Sequence, residues 1–132
     1  MARYTEKEAK AGLEEELPAL ETFANQFRGY EITVEIPEFT SVCPKTGLPD
    51  FGVITIRYMP LRKVIELKSL KEYLLAYRNL GIFYENAVNR ILEDVVKAAR
   101  PERAVVTGVF NPRGGIRSVV EAVHPRPARR RR

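Results

Sequence analysis

Two chemistries are nearly absent from this chain: its 132 residues include one cysteine, Cys43, and one histidine, His124. A lone cysteine closes no internal disulfide, so the fold must stand on packing, helped by subunit association, and a reducing compartment suits it. One cysteine and one histidine supply no ligand cluster, which speaks against a transition-metal site within one chain. Long apolar runs are missing as well. No stretch approaches the length of a membrane span, and Met1–Lys7 lacks the apolar core of a secretory signal, so a soluble, cytoplasmic protein with no membrane partner is expected. Nor is there a Gly-x-Gly-x-x-Gly run of the kind that marks a Rossmann dinucleotide site.

The formal charge of +5 is concentrated at one end. Arg126 and Arg129–Arg132 carry five positive charges, and residues 1–125 balance at 17 basic and 17 acidic groups. The body is therefore not a basic protein. Residues 124–132 read as a solvated, disordered Pro/Arg tail. Clustered arginines attract phosphates without reading sequence, but no aromatic–basic interleaving accompanies them, so nucleic acid is not an expected partner.

What is present is enough hydrophobic sequence, 45%, for one domain with a core. Residues 1–19 form a charged arm with a weak helical pattern broken at Pro18, and 20–123 form the folded unit. Ile32 and Val34 alternate with Glu31, Thr33 and Glu35, a half-buried strand over Tyr30–Glu35 that Pro37 stops. Val53–Tyr58 reads as a second strand, and Val64–Leu67 as a short continuation of the sheet. Ser69 is a plausible N-cap for a helix with Leu70, Tyr73, Leu74 and Tyr77 on one side. A longer helix over Phe83–Ala99 carries a stripe of Ala87, Val88, Ile91, Leu92, Val95 and Val96. Two further strands, Ala104–Phe110 and Ile116–Val123, are joined by Asn111-Pro112-Arg113-Gly114-Gly115, which reads as a hairpin. The order predicts an α+β fold, a four-stranded antiparallel sheet with two helices on one face. Its exposed sheet edges call for pairing between subunits in a closed ring.

Cys43 lies in a turn-rich connection with Asp50 seven residues on, a candidate nucleophile beside a candidate acid. Its alternative role is that of a small buried hydrophobe. Lys68 and Lys71 bracket a helix start, where backbone donors and the helix dipole favour a phosphate; the alternative is a pair of solvated lysines. Glu66, inside Val-Ile-Glu-Leu, must face water, a partner or a ligand.

Four segments then coincide: Ser41-Val42-Cys43-Pro44-Lys45-Thr46-Gly47 with Asp50-Phe51, Glu66-Leu67-Lys68-Ser69-Leu70-Lys71, Tyr77-Arg78-Asn79 through Glu85, and Asn111-Pro112-Arg113-Gly114-Gly115-Ile116. In this order they resemble the 7-cyano-7-deazaguanine reductase (QueF) family in its short single-module form. The resemblance covers residues 20–122. It implies the tunnelling fold (T-fold), stacked rings, pentameric and paired into a decamer, and sites between subunits. It also implies reduction of the nitrile of 7-cyano-7-deazaguanine to 7-aminomethyl-7-deazaguanine with NADPH, a step toward queuosine in tRNA.

On this resemblance Cys43 is the nucleophile that forms a covalent thioimide, and Asp50 hands the proton to the nitrile nitrogen. Ile65, Glu66, Leu67, Tyr84 and Glu85 bind the substrate, and Lys68, Lys71, Arg113, Gly114 and Gly115 bind NADPH. Two positions depart from the pattern. Tyr84 stands where many relatives carry histidine, and Glu72 adds a negative charge beside the second lysine. Two other readings remain open: an archaeosine-forming amidinotransferase acting on nitrile-modified tRNA, and a non-catalytic RNA-associated module of the same fold.

Overall fold

The computed structural model describes residues 4–128. Its centre is an antiparallel four-stranded sheet in the order β2-β3-β5-β6, with β2 at Ile32–Val42, β3 at Pro49–Met59, β5 at Arg103–Phe110 and β6 at Val119–His124. Asp50, Gly52, Ile54, Ile56 and Tyr58 alternate onto the buried face of β3, as Ala104, Val106, Gly108 and Phe110 do on β5. Helices α2 (Leu67–Leu75) and α3 (Tyr84–Ala99) bring Leu70, Tyr73, Leu74, Ala87, Val88, Ile91, Leu92 and Val95 into the same core. Each large aliphatic side chain buried there contributes about 1.5–3 kcal/mol of transfer free energy. No helix among the described residues is long and apolar enough to cross a membrane.

The α+β layout matches the expectation, but several boundaries move. Pro37 does not end the first strand. β2 runs on to Val42 through a register shift between Ile36 and Phe39, which an edge strand tolerates because its outward N–H groups need no partner. β3 begins at Pro49, four residues earlier than the alternation suggested, so Asp50 sits in a strand rather than a loop.

Val64 does not continue the main sheet. β4 (Lys63–Ile65) pairs instead with β1 (Thr22–Ala24), a three-residue strand too short to leave a period in the sequence. Ser69 is not the helix cap. Glu66 is, and its carboxylate accepts from the amides of Lys68 at 2.7 Å and Ser69 at 2.8 Å, while Ser69 is buried one turn in with its Oγ accepting from the Glu21 amide.

The last hairpin is wider than predicted. β6 starts at Val119, and the connection holds its own tight reversal in which Arg113 and Ile116 pair across Gly114 and Gly115. β6 also extends to His124, assigned to the tail from sequence. Arg126 lies against α3, with Nη1 donating to Asn89 Oδ1 at 2.9 Å and Nη2 3.4 Å from Glu93 Oε2. Residues 129–132, where the rest of the disordered tail was expected, are outside the described residues.

The N-terminal arm holds one short helix, α1 (Glu6–Ala9), with a Thr5/Glu8 capping box. Arg90 of α3 ties the following chain down by donating to the carbonyls of Gly12 and Glu15, and Asn86 donates to that of Ala9 at 2.7 Å. Gly12 has φ +82 and packs so closely on Ile82 that a Cβ there would lie 2.6 Å from the Ile82 Cβ. Beneath, Tyr73 donates to Asp94 at 2.5 Å and shares a 2.8 Å bond with the Tyr77 hydroxyl. Burial pushes both phenols well above their usual range, so they stay protonated.

Candidate active site

Cys43 follows directly on the end of β2, at the mouth of a six-residue turn. Its amide donates to the Leu48 carbonyl at 2.9 Å, and the Gly47 amide returns to its carbonyl at 2.9 Å. Gly47 has φ +72, a conformation that favours glycine. This tight closure turns the amides of Lys45 and Thr46, together with the Thr46 hydroxyl, toward the sulfur. Burial pushes the Cys43 thiol up and the Asp50 charge adds to that, but the Thr46 and Lys45 donors outweigh them and leave it below the ordinary thiol range. Cys43 is half-buried rather than sealed in the core. Because thiolate is the reactive form, iodoacetamide should modify Cys43 with a rate that rises with pH through a midpoint below that of a free thiol. A midpoint above it would remove the activated nucleophile.

Asp50 faces the site from β3. It is the direct cross-strand partner of Ser41, is 6% exposed, and accepts two hydrogen bonds on Oδ1, from Arg113 Nη1 at 2.6 Å and the Tyr84 hydroxyl at 3.1 Å. Arg113 also donates to the Pro49 carbonyl at 3.0 Å. Gly114 and Gly115, at φ +58 and +80, give the two left-handed residues of a type I′-like reversal that sends Arg113 back over β3. The space where their Cβ atoms would sit is open, and the left-handed backbone of the turn already favours glycine at both positions. The structure thus places Arg113 Nη1 on the acid, in a side chain that stays 43% exposed.

Tyr84 is the first residue of α3. Its ring stacks on Phe110 at 3.9 Å between centroids and 9° between planes. Burial and the neighbouring Asp50 carboxylate raise its phenol to about 12, so it remains a hydrogen-bond donor at neutral pH. Phe110 ends β5, and nothing in its sequence context marked it as part of the site. Glu85 follows Tyr84, exposed in the first helical turn. Residues 80–82 lock this helix start to the end of β2, beside Cys43, since Val42 donates to the Leu80 carbonyl at 3.0 Å and accepts from Ile82 at 2.9 Å. Outside this cluster, Tyr4 of the arm packs on Phe83, and the Lys45 ammonium lies 5.0 Å from the centre of its ring.

Cys43, Asp50, Tyr84, Glu85 and Arg113 therefore converge at one end of the sheet. Ile65, Glu66, Leu67, Lys68 and Lys71 do not join them within one chain. α2 and the 3-10 turn Ala76–Asn79 separate residue 66 from residue 80 by about 20 Å of helix. Ile65 is buried, with its amide donating to Tyr58 Oη at 3.0 Å, while Leu67, Lys68 and Lys71 are exposed. The anion position at this helix start is already taken by the Glu66 carboxylate, and that hydrogen bonding holds the carboxyl below its usual range. A phosphate there would meet the lysine side chains, not free amides.

A family model described as QueF-like protein matches residues 49–129. The NADPH-dependent 7-cyano-7-deazaguanine reductase of Elusimicrobium minutum is 62% identical over 120 residues, covering 90% of this chain and 91% of that protein. The protein of the same name from Chloroherpeton thalassium is 56% identical over 105 residues, 78% of this chain and 90% of its own length. Among solved structures, the apo form of the archaeosine synthase QueF-Like superposes with a TM-score of 0.66 at 25% identity, over 70% of this chain and 91% of that one.

Proposed function

Because this chain belongs to the QueF family, we propose that it is an NADPH-dependent reductase of 7-cyano-7-deazaguanine acting through a covalent cysteine adduct. The observation that carries the chemistry is the Cys43 thiol at the end of β2, ringed by the Lys45 and Thr46 donors and close enough to the buried Asp50 carboxylate of β3 to feel its charge. A nitrile is a poor hydride acceptor until a soft nucleophile converts it to a C=N carrying sulfur. Cys43 Sγ adds to the nitrile carbon. The proton released from sulfur passes by way of Asp50 to the nitrile nitrogen, so the S–H bond breaks as the S–C and N–H bonds form. Arg113 and Tyr84 hold the Asp50 carboxyl in place for that transfer. Two NADPH molecules, one after the other, would each supply one hydride, and two protons taken up from solvent in all complete the four-hydrogen change from nitrile to amine and leave the thiol restored. Between the two hydrides sulfur leaves carbon with its electron pair, and the donors around Cys43 favour that thiolate.

For the substrate, Tyr84 offers the ring face that Phe110 does not occupy, and Glu85 offers a carboxylate that can accept two N–H bonds from a guanine-like edge. For the cofactor, Lys68 and Lys71 are the residues that would hold phosphates. They fit by charge, and between α2 and β2 runs an apolar cleft of about 300 Å³, lined by Val34, Leu67, Leu70 and Leu74, with Lys71 and Arg78 as its basic residues.

The two halves of this site meet if the chain forms a T-fold ring, in which the α2 start of one subunit faces Cys43 of the next. Among the described residues the outer edge of β6 and, apart from the Val42 bridge to residues 80–82, that of β2 pair with no further strand of the main sheet, which supports edge pairing. The sheet face opposite the helices carries Phe51 and Val119, exposed. A decamer of two stacked pentamers is the proposed assembly. Sedimentation velocity should show this large species, and a monomer at micromolar concentration would overturn it.

The activity test is a direct one. With 7-cyano-7-deazaguanine and NADPH, absorbance at the nicotinamide band should fall by two equivalents per equivalent of amine formed. An adduct without NADPH oxidation would favour the amidine-forming chemistry of an archaeosine synthase, and neither signal would leave a binding module.

A further inference from the structure

Among the described residues, Ser41 Oγ is the buried side-chain polar atom with no hydrogen-bond partner, in a residue that is 0% exposed. Burying a hydroxyl without a partner is unfavourable, and alanine would fill the same space without that cost. The serine therefore calls for a use outside the stability of the resting fold. Its position suggests one. Ser41 is the direct cross-strand partner of Asp50, which places the two Cβ atoms on one face of the sheet about 4.5–5.5 Å apart. Cys43 lies two residues further along, just past the end of β2, and its thiol is close enough to Asp50 to feel that carboxylate's charge.

The carboxyl of Asp50 is held asymmetrically. The bonds from Arg113 and Tyr84 both end on Oδ1, and Oδ2 receives none among the described residues. A carboxyl fixed at one oxygen can still swing about its Cβ–Cγ bond, which degrades proton transfer to a nitrogen that must be met at one distance and angle.

The geometry points to Ser41 as a positioning residue for Asp50, its hydroxyl turning about Cα–Cβ to donate to Oδ2 once substrate fills the site. Such a turn is a change between staggered side-chain wells with no backbone movement. It pins the carboxyl from the side that Arg113 and Tyr84 leave open, and it gives the buried hydroxyl its partner in the working state. The assignment rests on the reading of Asp50 as the proton carrier in thioimide formation.

The test compares Ser41→Ala with the unaltered protein and with Asp50→Asn, alone and combined, in stopped-flow adduct formation and steady-state turnover. Ser41→Ala should slow adduct formation by about tenfold with KM for the nitrile substrate within twofold of the starting value. In the Asp50→Asn background the same substitution should have no further effect, because a residue acting through Asp50 has nothing left to position. Melting temperature should be unchanged or higher, since an unpaired buried hydroxyl has been removed from the resting fold. Full-rate adduct formation by Ser41→Ala, a rise in KM alone, or an effect that persists beside Asp50→Asn would each overturn the assignment. Absence of any adduct in the unaltered protein would instead sink the reductase reading and this inference with it.

Discussion

The Cys43→Ala variant is expected to form no covalent adduct with 7-cyano-7-deazaguanine and to oxidise no NADPH. Intact-protein mass spectrometry checks the first and nicotinamide absorbance the second. The expectation is absolute because no second sulfur nucleophile exists in the chain, and without the sulfur the nitrile stays a poor hydride acceptor. Loss of fold is not a competing explanation. The side chain is half-exposed at the end of a strand, and the turn is closed by backbone bonds of residues 43, 47 and 48 that alanine keeps. Cys43→Ser keeps a nucleophile of sorts, but its hydroxyl is far less ionised than a thiol and should be equally inactive. Turnover surviving in Cys43→Ala would end the covalent mechanism.

The second large effect belongs to Asp50. Asparagine has the same shape and still offers an oxygen to Arg113 and Tyr84, so Asp50→Asn preserves the contacts at 2.6 and 3.1 Å while removing the group that carries a proton. Adduct formation should slow by about 10²–10⁴-fold, the usual contribution of a positioned acid–base group. Equilibrium binding of the purine should change little, because the residues assigned to the base, Tyr84 and Glu85, are untouched. Measuring the single-turnover adduct rate beside substrate affinity separates the two. A parallel loss of both would make Asp50 a residue that shapes the pocket rather than one that moves a proton. The ion pair contributes modestly to stability, since Arg113 is 43% exposed and solvent screens it, so the variant should remain folded.

Arg113 shows how the same local sequence supports a different role once the chain is folded. A basic residue beside two glycines reads as a phosphate loop. In the structure the glycines instead make a reversal, and the reversal carries the guanidinium 63 residues back along the chain to Asp50. Glu66 is a parallel case. An acid among aliphatic residues must find polar partners, and it finds them in the first amides of its own helix, which occupies the place where an anion was expected.

Local alternation and helical period, read along the chain, were sufficient for the α+β class, both long helices and the cores of the four main strands, because burying one face of each element imposes a regular spacing on its apolar residues. Motif order was sufficient for the family, and it singled out Cys43 and Asp50, which a single turn brings within electrostatic reach of one another. Long-range placement was not available from sequence: the pairing of β1 with β4, the passage of β2 beyond Pro37, the stacking of Phe110 on Tyr84, the docking of Arg113 on Asp50 and the isolation of the Ser41 hydroxyl. Each depends on which segments meet across the sheet, and a contact between residues tens of positions apart leaves no period in the sequence for a reader to find. Only the folded chain shows that about 20 Å of helix lies between Glu66 and the residue-80 segment that bonds the strand leading to Cys43, because helix length, not residue identity, sets that separation.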